Sequence, residues 1–289
     1  MTQSSGDQDV ISLEAIYASH PLNERTLLAR LERQGIPLAG LSEWSLAIDP
    51  DTGITDQNHP GGVEAVLTLA VAAKVGVTSA VVDIGAGLGG PARVLAQAFG
   101  CSVVGIEQDQ NRYEAAVRLT ERVGLASRVT FRKHDALSGT AGLENIDVLW
   151  GQSAWVHFPN PEAFLDLWIP TIRPRGRVVM SDAFLLREPS GSEELHVVRS
   201  LENLWGAHLL PINRWQSALE TRRCTVTHVR DYTSEAQAHF KNCLSISSKW
   251  PNGMVTAAET HSWLCAGEAL ERGLIGTRQL IAIKESSVC

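Results

Sequence analysis

Long apolar runs are missing from this chain. No uninterrupted stretch approaches the roughly 18 to 20 apolar residues that cross a bilayer, and the opening segment MTQSSGDQDV has neither a basic stretch nor an apolar one ahead of a cleavage site. These absences lead to the expectation of a cytoplasmic protein with no membrane partner. Clustered positive charge is missing too. The 25 Lys and Arg are scattered among 32 Asp and Glu, for a formal net charge of -7, so no basic footprint for a nucleic-acid backbone is present. The five cysteines, Cys101, Cys224, Cys243, Cys265 and Cys289, are odd in number and far apart, without a C-x-x-C pair. That excludes a disulfide framework or a zinc site, and reduced thiols are expected, with Cys101 in the core and Cys289 exposed. No set of histidines and carboxylates has ligand spacing, so no metal is expected. Internal repeats and low-complexity tracts are absent.

What remains is an enzyme-sized globular chain. Its 289 residues with 44% apolar and 20% charged content support a large core in one domain with room for insertions. Leu27, Leu28 and Leu31 recur at helical spacing among charges between Leu22 and Gly35, which predicts an amphipathic cap helix. A second helix is expected over Val63 to Lys74.

From residue 79 the pattern alternates. Short apolar runs at 80–84, 102–107, 128–132, 146–150 and 177–181 are separated by helical segments from Pro91, over 111–123 and over 161–172. This βαβ rhythm predicts an α/β, Rossmann-like doubly wound sheet. The rhythm lapses over 184–223, resumes as a strand at 225–229, lapses again over about 235–275 and ends in a strand at 278–284. The expected organisation is therefore a helical cap at 1–75, a nucleoside-binding core at 76–183, a lid insertion at 184–223 and a last segment at 224–289 holding a second lid. Lids so placed would cover the carboxyl ends of the strands, where open α/β sheets bind ligands.

The densest signal is Val81 to Arg93, VVDIGAGLGGPAR. Gly85, Gly87 and Gly90 satisfy the G-x-G-x-x-G of dinucleotide sites, whereas Gly85, Gly87 and Gly89 behind Asp83 suit a nucleoside carrying an amino group. Glycines alone do not choose between them. The flanking acids carry more information. Asp83 would repel a pyrophosphate and attract an ammonium. Glu107 ends the second strand, where either ligand class wants a carboxylate for ribose hydroxyls. Asp135, after the third strand in KHDAL, is placed to accept from an exocyclic adenine amine.

Together these residues resemble the class I S-adenosylmethionine-dependent methyltransferases, in their small-molecule branch with G-G-P in the first loop. The resemblance covers about residues 56 to 184, and the final strand region loosely. It implies a seven-stranded sheet with an antiparallel last strand and S-adenosylmethionine as cofactor. Asp83, Gly85, Gly87 and Gly89 would serve the methionine end, Glu107 and Gln108 the ribose, and Asp135 with Ala136 the adenine. The Gly151 carbonyl would lie beside the methionine amino group.

The segment after the fourth strand, WGQSAWVHF, is similar to the branch holding sarcosine, dimethylglycine and phosphoethanolamine methyltransferases and natural-product enzymes, in which a histidine here faces the substrate. His157 is thus the candidate general base. His59 in DQNHPGG is a second catalytic candidate, since that branch carries a similar segment over the cofactor. Trp155, Asp182, Trp205 and His208 are the substrate-facing candidates, while Trp168, Trp215 and Trp263 are expected to be packing residues. Amine-methylating relatives often have an acid where this chain has Ser153, which removes a carboxylate that would attract a cationic amine. The resemblance implies methyl transfer to an N, O or C nucleophile of a small aromatic or hydrophobic metabolite, as in secondary metabolism, by a monomer or homodimer. A small aliphatic amine is the alternative acceptor. An NAD-dependent oxidoreductase would need catalytic residues in a nicotinamide half, and none is found. A non-catalytic nucleoside-binding subunit would not need His157.

Overall fold

In the computed structural model, residues 13–18, 20, 23–49, 53–249 and 255–286 are described. The opening decapeptide and Cys289 lie outside them. Seven strands, β1 (Ala80–Ile84), β2 (Ser102–Glu107), β3 (Val129–Lys133), β4 (Ile146–Gln152), β5 (Ile172–Leu185), β6 (Cys224–Asp231) and β7 (Ile275–Lys284), form one sheet in the order β3-β2-β1-β4-β5-β7-β6. Strands β1 to β5 run parallel, and β7 is antiparallel to both β5 and β6. This is the expected doubly wound fold with an antiparallel last strand. The chain reverses its direction of sheet growth between β1 and β4, so the ends of those two strands splay apart. A crevice opens there, at the carboxyl edge.

Eleven α-helices are present among the described residues. α1 (Leu13–Ala18), α2 (Glu24–Arg33), α3 (Glu43–Ala47) and α4 (Gly62–Ala72) precede the sheet. α5 (Gly90–Phe99), α6 (Gln110–Arg122) and α7 (Pro161–Trp168) follow β1, β2 and β4. α8 (Gly191–Trp205) and α9 (Ile212–Glu220) lie between β5 and β6, and α10 (Thr233–Ile246) and α11 (Ala257–Glu271) between β6 and β7. Local chemistry sets the boundaries. Asn23 caps α2 by accepting from the Thr26 amide at 3.1 Å, and Asp109 does the same for α6 from the Arg112 amide at 2.8 Å. Pro91 stands in the first turn of α5, where its missing N–H is no loss.

Two of the expected boundaries are corrected by packing. α4 is not a cap: Val66, Leu69 and Ala70 are buried against Val81, Val148, Trp150 and Val179, so it is a layer helix of the sheet. α9 is not a lid: Trp215, Ala218 and Leu219 pack with Trp168 and Met180 on the opposite face. Apolar periodicity reports only that a helix has a buried side, whether that side meets a sheet or a ligand. The helices that do cover the carboxyl edge are α1, α8, α10 and α11. Val197, Val198 and Leu201 of α8 join Ala236, Phe240, Trp263, Ala266 and Leu270 in a separate cluster under which Val156 and Leu185 project.

A fully buried guanidinium joins the N-terminal segment to the glycine loop. Arg93 of α5 donates to Glu43 at 2.8 Å, Asp56 at 2.6 Å, the Leu88 carbonyl at 2.8 Å and Thr120 at 3.1 Å. Burial pushes Glu43 well above the usual carboxylate range, with the charge of Arg93 pulling it back. Removing one member of such a set strands the others without solvent. Arg93→Leu is expected to cost about 3–5 kcal/mol in urea denaturation, and a loss under about 1 kcal/mol would show that the cluster does not hold the cap.

Candidate active site

The crevice at the edge of β1 and β4 opens into two adjoining cavities. The first is lined by Ile84 to Leu88, Glu107, Gln108, Arg112, His134 to Leu137 and Gln152 to Ala154. The second lies under the covering helices and is lined by Trp205, Phe240, Trp263, Leu270 and Ile275, with Asp182, Tyr232, Glu259 and Thr277. Tyr17, Asn58, His59, Ser153 and His157 border both. A group passing from one cavity to the other crosses between these five residues.

The glycine loop leaves β1 with Gly85 at φ +66° and Gly87 at φ +57°. A Cβ on Gly85 would stand 2.7 Å from that of Ala154, and one on Gly87 2.9 Å from the Arg112 guanidinium, so side chains at either would fill the floor of the first cavity. Glu107 ties this loop to β2, its carboxylate accepting from the Gly87 amide at 2.8 Å and the Asp109 amide at 2.7 Å. Asp83 is 2% exposed, and its Oδ2 has no hydrogen-bond partner. Burial, reinforced by the neighbouring charge of Glu107, pushes its carboxyl up to about 8. A buried carboxyl without a partner is costly; an ammonium group is the ligand chemistry that satisfies it. Asp135 accepts from the Leu137 amide at 2.9 Å and is exposed along the cavity rim. Gln108 and Ala136 also line this cavity.

At the junction, His157 lies on a 3-10 turn (Trp155–His157) after β4. Its Nδ1 is 2.9 Å from the Gly206 carbonyl, so Nδ1 carries the proton and donates, leaving the Nε2 lone pair directed to the Tyr17 hydroxyl at 3.3 Å. Burial lowers the His157 pKa, the Gly206 bond opposes that, and the Arg112 charge adds to it. The ring is neutral at neutral pH. Asp182 builds the turn: its Oδ2 accepts from the Trp155 amide at 2.8 Å and the Val156 amide at 3.2 Å, and burial pushes it up to about 7. Ser153, between strand and turn, has φ +49°, a left-handed backbone of the kind that clusters at ligand sites.

Several expectations are corrected. Trp155 does not face a substrate: it is 1% exposed and packs edge-on against Phe158, Phe164 and Trp215 in the core. Its indole N–H donates to the Gly151 carbonyl at 2.8 Å. Gly151 is not among the residues lining the cavity, whose wall at this point is Gln152 to Ala154. Trp263 packs in the α8, α10 and α11 cluster, as expected of a packing residue, and also lines the second cavity. His208 is exposed outside the cavities, tied by its amide to the Val156 carbonyl. His59 borders both cavities, but its ring nitrogens lie 3.2 Å from the Pro60 carbonyl and the Gln57 side-chain oxygen. Both nitrogens are engaged by these groups. Trp205 and Asp182 do line the second cavity.

Three contributors were not read from the sequence. Tyr17 sits on a one-turn helix before any recognisable motif. Arg112, whose guanidinium stands 4.3 Å from the Tyr17 ring centre and whose Nε and one terminal nitrogen are buried without partners, looks like an ordinary helix-face cation. Glu259 opens α11 among polar residues.

Residues 81–176 match the family described as a methyltransferase domain. Methyltransferase GfsG of Streptomyces halstedii is 30% identical over 102 residues, 35% of this chain and 37% of that protein. The chain covers less than two fifths of the length of the curated relatives it matches first. Among solved structures, phosphoethanolamine N-methyltransferase 2 of Haemonchus contortus, in complex with phosphomonomethylethanolamine and S-adenosylhomocysteine, superposes with a TM-score of 0.74 at 14% identity, covering 96% of this chain and 61% of that one. The [4+2]-cyclase SpnF superposes at 0.67 and 17%, covering 96% and 98%. The chain carries a methyltransferase domain on the class I fold, as its motifs imply.

The unsatisfied Asp83 carboxyl has a measurable consequence. Its folded pKa of about 8 lies above the ordinary 3.8, so the stability it contributes when protonated is lost as pH rises from about 4 to about 8. Urea denaturation of the ligand-free protein between pH 5 and 7 is expected to fall by about 1.4 kcal/mol per pH unit relative to Asp83→Asn. Parallel pH profiles for the two proteins would contradict it.

Proposed function

We propose that this protein is an S-adenosylmethionine-dependent methyltransferase acting on an N, O or C nucleophile of a small metabolite with an apolar, ring-bearing body. The observation that carries the proposal is the meeting of two cavities at a neutral histidine whose Nε2 accepts from the Tyr17 hydroxyl at the junction. Fold likeness does not decide it, since the same fold superposes on a methyltransferase and on a cyclase at similar scores.

The first cavity fits the donor. Asp83 and the glycine loop would hold the methionine end, Glu107 and Gln108 the ribose, and Asp135 with Ala136 the adenine. The orphaned Asp83 oxygen and the cradle that a Cβ would fill both match that placement. S-adenosylmethionine, when bound, supplies an activated methyl group on a sulfonium.

The chain's own residues then do three things. The covering helices exclude water and confine the acceptor in the second cavity, and confinement alone is worth effective molarities on the order of 10⁵ to 10⁸ M. Asp182 and the Gly206 carbonyl fix the His157 ring from its backbone side and its Nδ1 side. His157 Nε2 takes the proton that the acceptor nucleophile loses, with the Tyr17 hydroxyl beside it. A carboxylate would do this less selectively, because a buried acid with a raised pKa is already protonated near neutral pH.

Calorimetry is expected to show S-adenosylhomocysteine binding and no response to NAD; the reverse would sink the assignment. His157→Ala is expected to lower turnover about 10² to 10⁴-fold while S-adenosylhomocysteine affinity stays within about threefold. Because burial holds the His157 pKa below 6.5, turnover should rise with pH along a limb below that value and be flat above it. Unchanged turnover in the variant would return His157 to a structural role.

A further inference from the structure

The acceptor cavity has an uneven charge. Among its lining residues are two carboxylates, Asp182 and Glu259, and no Lys or Arg. The segments outside the described residues contain no Lys or Arg either, so neither side chain could reach in from them. Asp182 is consumed by backbone amides. Glu259 is different. It stands in the first turn of α11, where the second cavity meets a groove running past α4 and α10, and it lines both spaces. Its carboxylate is 18% exposed, with the His20 ring 3.9 Å away and the Trp263 indole N–H as a donor. The aromatic wall beside it is rigid: Trp205 and Phe240 stack at 6.2 Å and 20°, and the Trp205 N–H is fixed by Ser262 at 2.7 Å.

Resting on the methyltransferase reading above, we propose that the acceptor is a non-phosphorylated aromatic amine, its ring held by Trp205 and Phe240 and its ammonium group paired with Glu259. The wall would select by repelling one charge as well as by attracting the other. An anionic acceptor entering this cavity loses its hydration and meets carboxylates without a compensating cation, which the low dielectric makes unfavourable. An ammonium meets a half-buried carboxylate and electron-rich ring faces, both of which favour it. Burial pushes Glu259 up to about 7, and a cation at the carboxylate would bring it down. The phosphorylated acceptor of the Haemonchus contortus neighbour is thereby the wrong charge for this wall despite the similar fold. The carboxylate that is missing at Ser153 is supplied from the other side of the cavity.

The test uses the full chain loaded with S-adenosylhomocysteine and three probes of one shape: tryptamine, its neutral analogue tryptophol, and indole-3-acetate. Calorimetry is expected to rank them in that order, with phosphoethanolamine not binding. Glu259→Gln should weaken tryptamine at least tenfold, leave tryptophol within about twofold, and leave S-adenosylhomocysteine affinity unchanged. Indole-3-acetate binding more tightly than tryptamine, tryptamine failing to bind the loaded protein, or Glu259→Gln affecting tryptamine and tryptophol equally would each overturn the proposal. Failure of S-adenosylhomocysteine to bind is a separate result and overturns the methyltransferase reading instead.

Discussion

The buried Arg93 guanidinium is the constraint on which the site's architecture rests. It sits in the helix that the glycine loop starts, and its contacts to Glu43 and Asp56 pull the N-terminal segment over that loop. From Asp56 the polar chain continues through the Gln57 amide to His59, so a single cation fixes residues on the border of both cavities. A hydrophobic contact could seat the same segment, yet it would not orient it. An ion pair with directional hydrogen bonds does, because every alternative arrangement leaves a charge buried without its partner. Leu27, Leu31, Leu46 and Ile54 then close against Leu88, Ala115 and Leu119 in the same orientation.

Polar groups on the floor of the crevice divide into satisfied and unsatisfied sets. Glu107 and Asp182 spend their oxygens on backbone amides and so shape the loop and the turn. Asp83 Oδ2, Thr277 Oγ1 and part of the Arg112 guanidinium are buried without partners. Thr277 and Asp83 lie on opposite sides of the His157 junction, one at the acceptor cavity and the other beneath the glycine loop. A fold of this size tolerates a few such groups where a ligand completes them. His157 belongs to neither set. One nitrogen donates to the Gly206 carbonyl and the other accepts from the Tyr17 hydroxyl, so the proposed proton transfer would require Tyr17 to yield its place.

Much of the first cavity was legible from the sequence, and for a geometric reason. In a parallel sheet the carboxyl ends of all strands lie along one edge, so Asp83, Glu107 and Asp135, each read at the end of a strand, converge without any knowledge of side-chain packing. The second cavity was not legible in the same way. Its wall comes from α1, α8, α10 and α11, whose mutual angles are set by which apolar faces meet, and periodicity does not encode that. Trp155 departs from its expected role on this account: it follows a motif and looks functional, but the 3-10 turn swings it into the core. Trp263 packs as its helical pattern suggests, and the same helix also presents it to the cavity.

The same asymmetry explains why kinship stops at the donor side. The matched domain ends at residue 176, before Asp182, Trp205, Phe240, Glu259 and Trp263 enter the chain. On the proposed function the donor would be met by strand-end residues inside the matched domain and the acceptor by inserted helices outside it, where a change of one side chain alters charge or shape without disturbing the sheet. Glu259 is such a position: it caps no loop of the core and takes no part in the Arg93 cluster, and its carboxylate meets Trp263 and His20 beside the cavity. On that reading selectivity is to be sought on α8, α10 and α11, which lie beyond the matched residues 81–176 and carry Glu259 beside the second cavity.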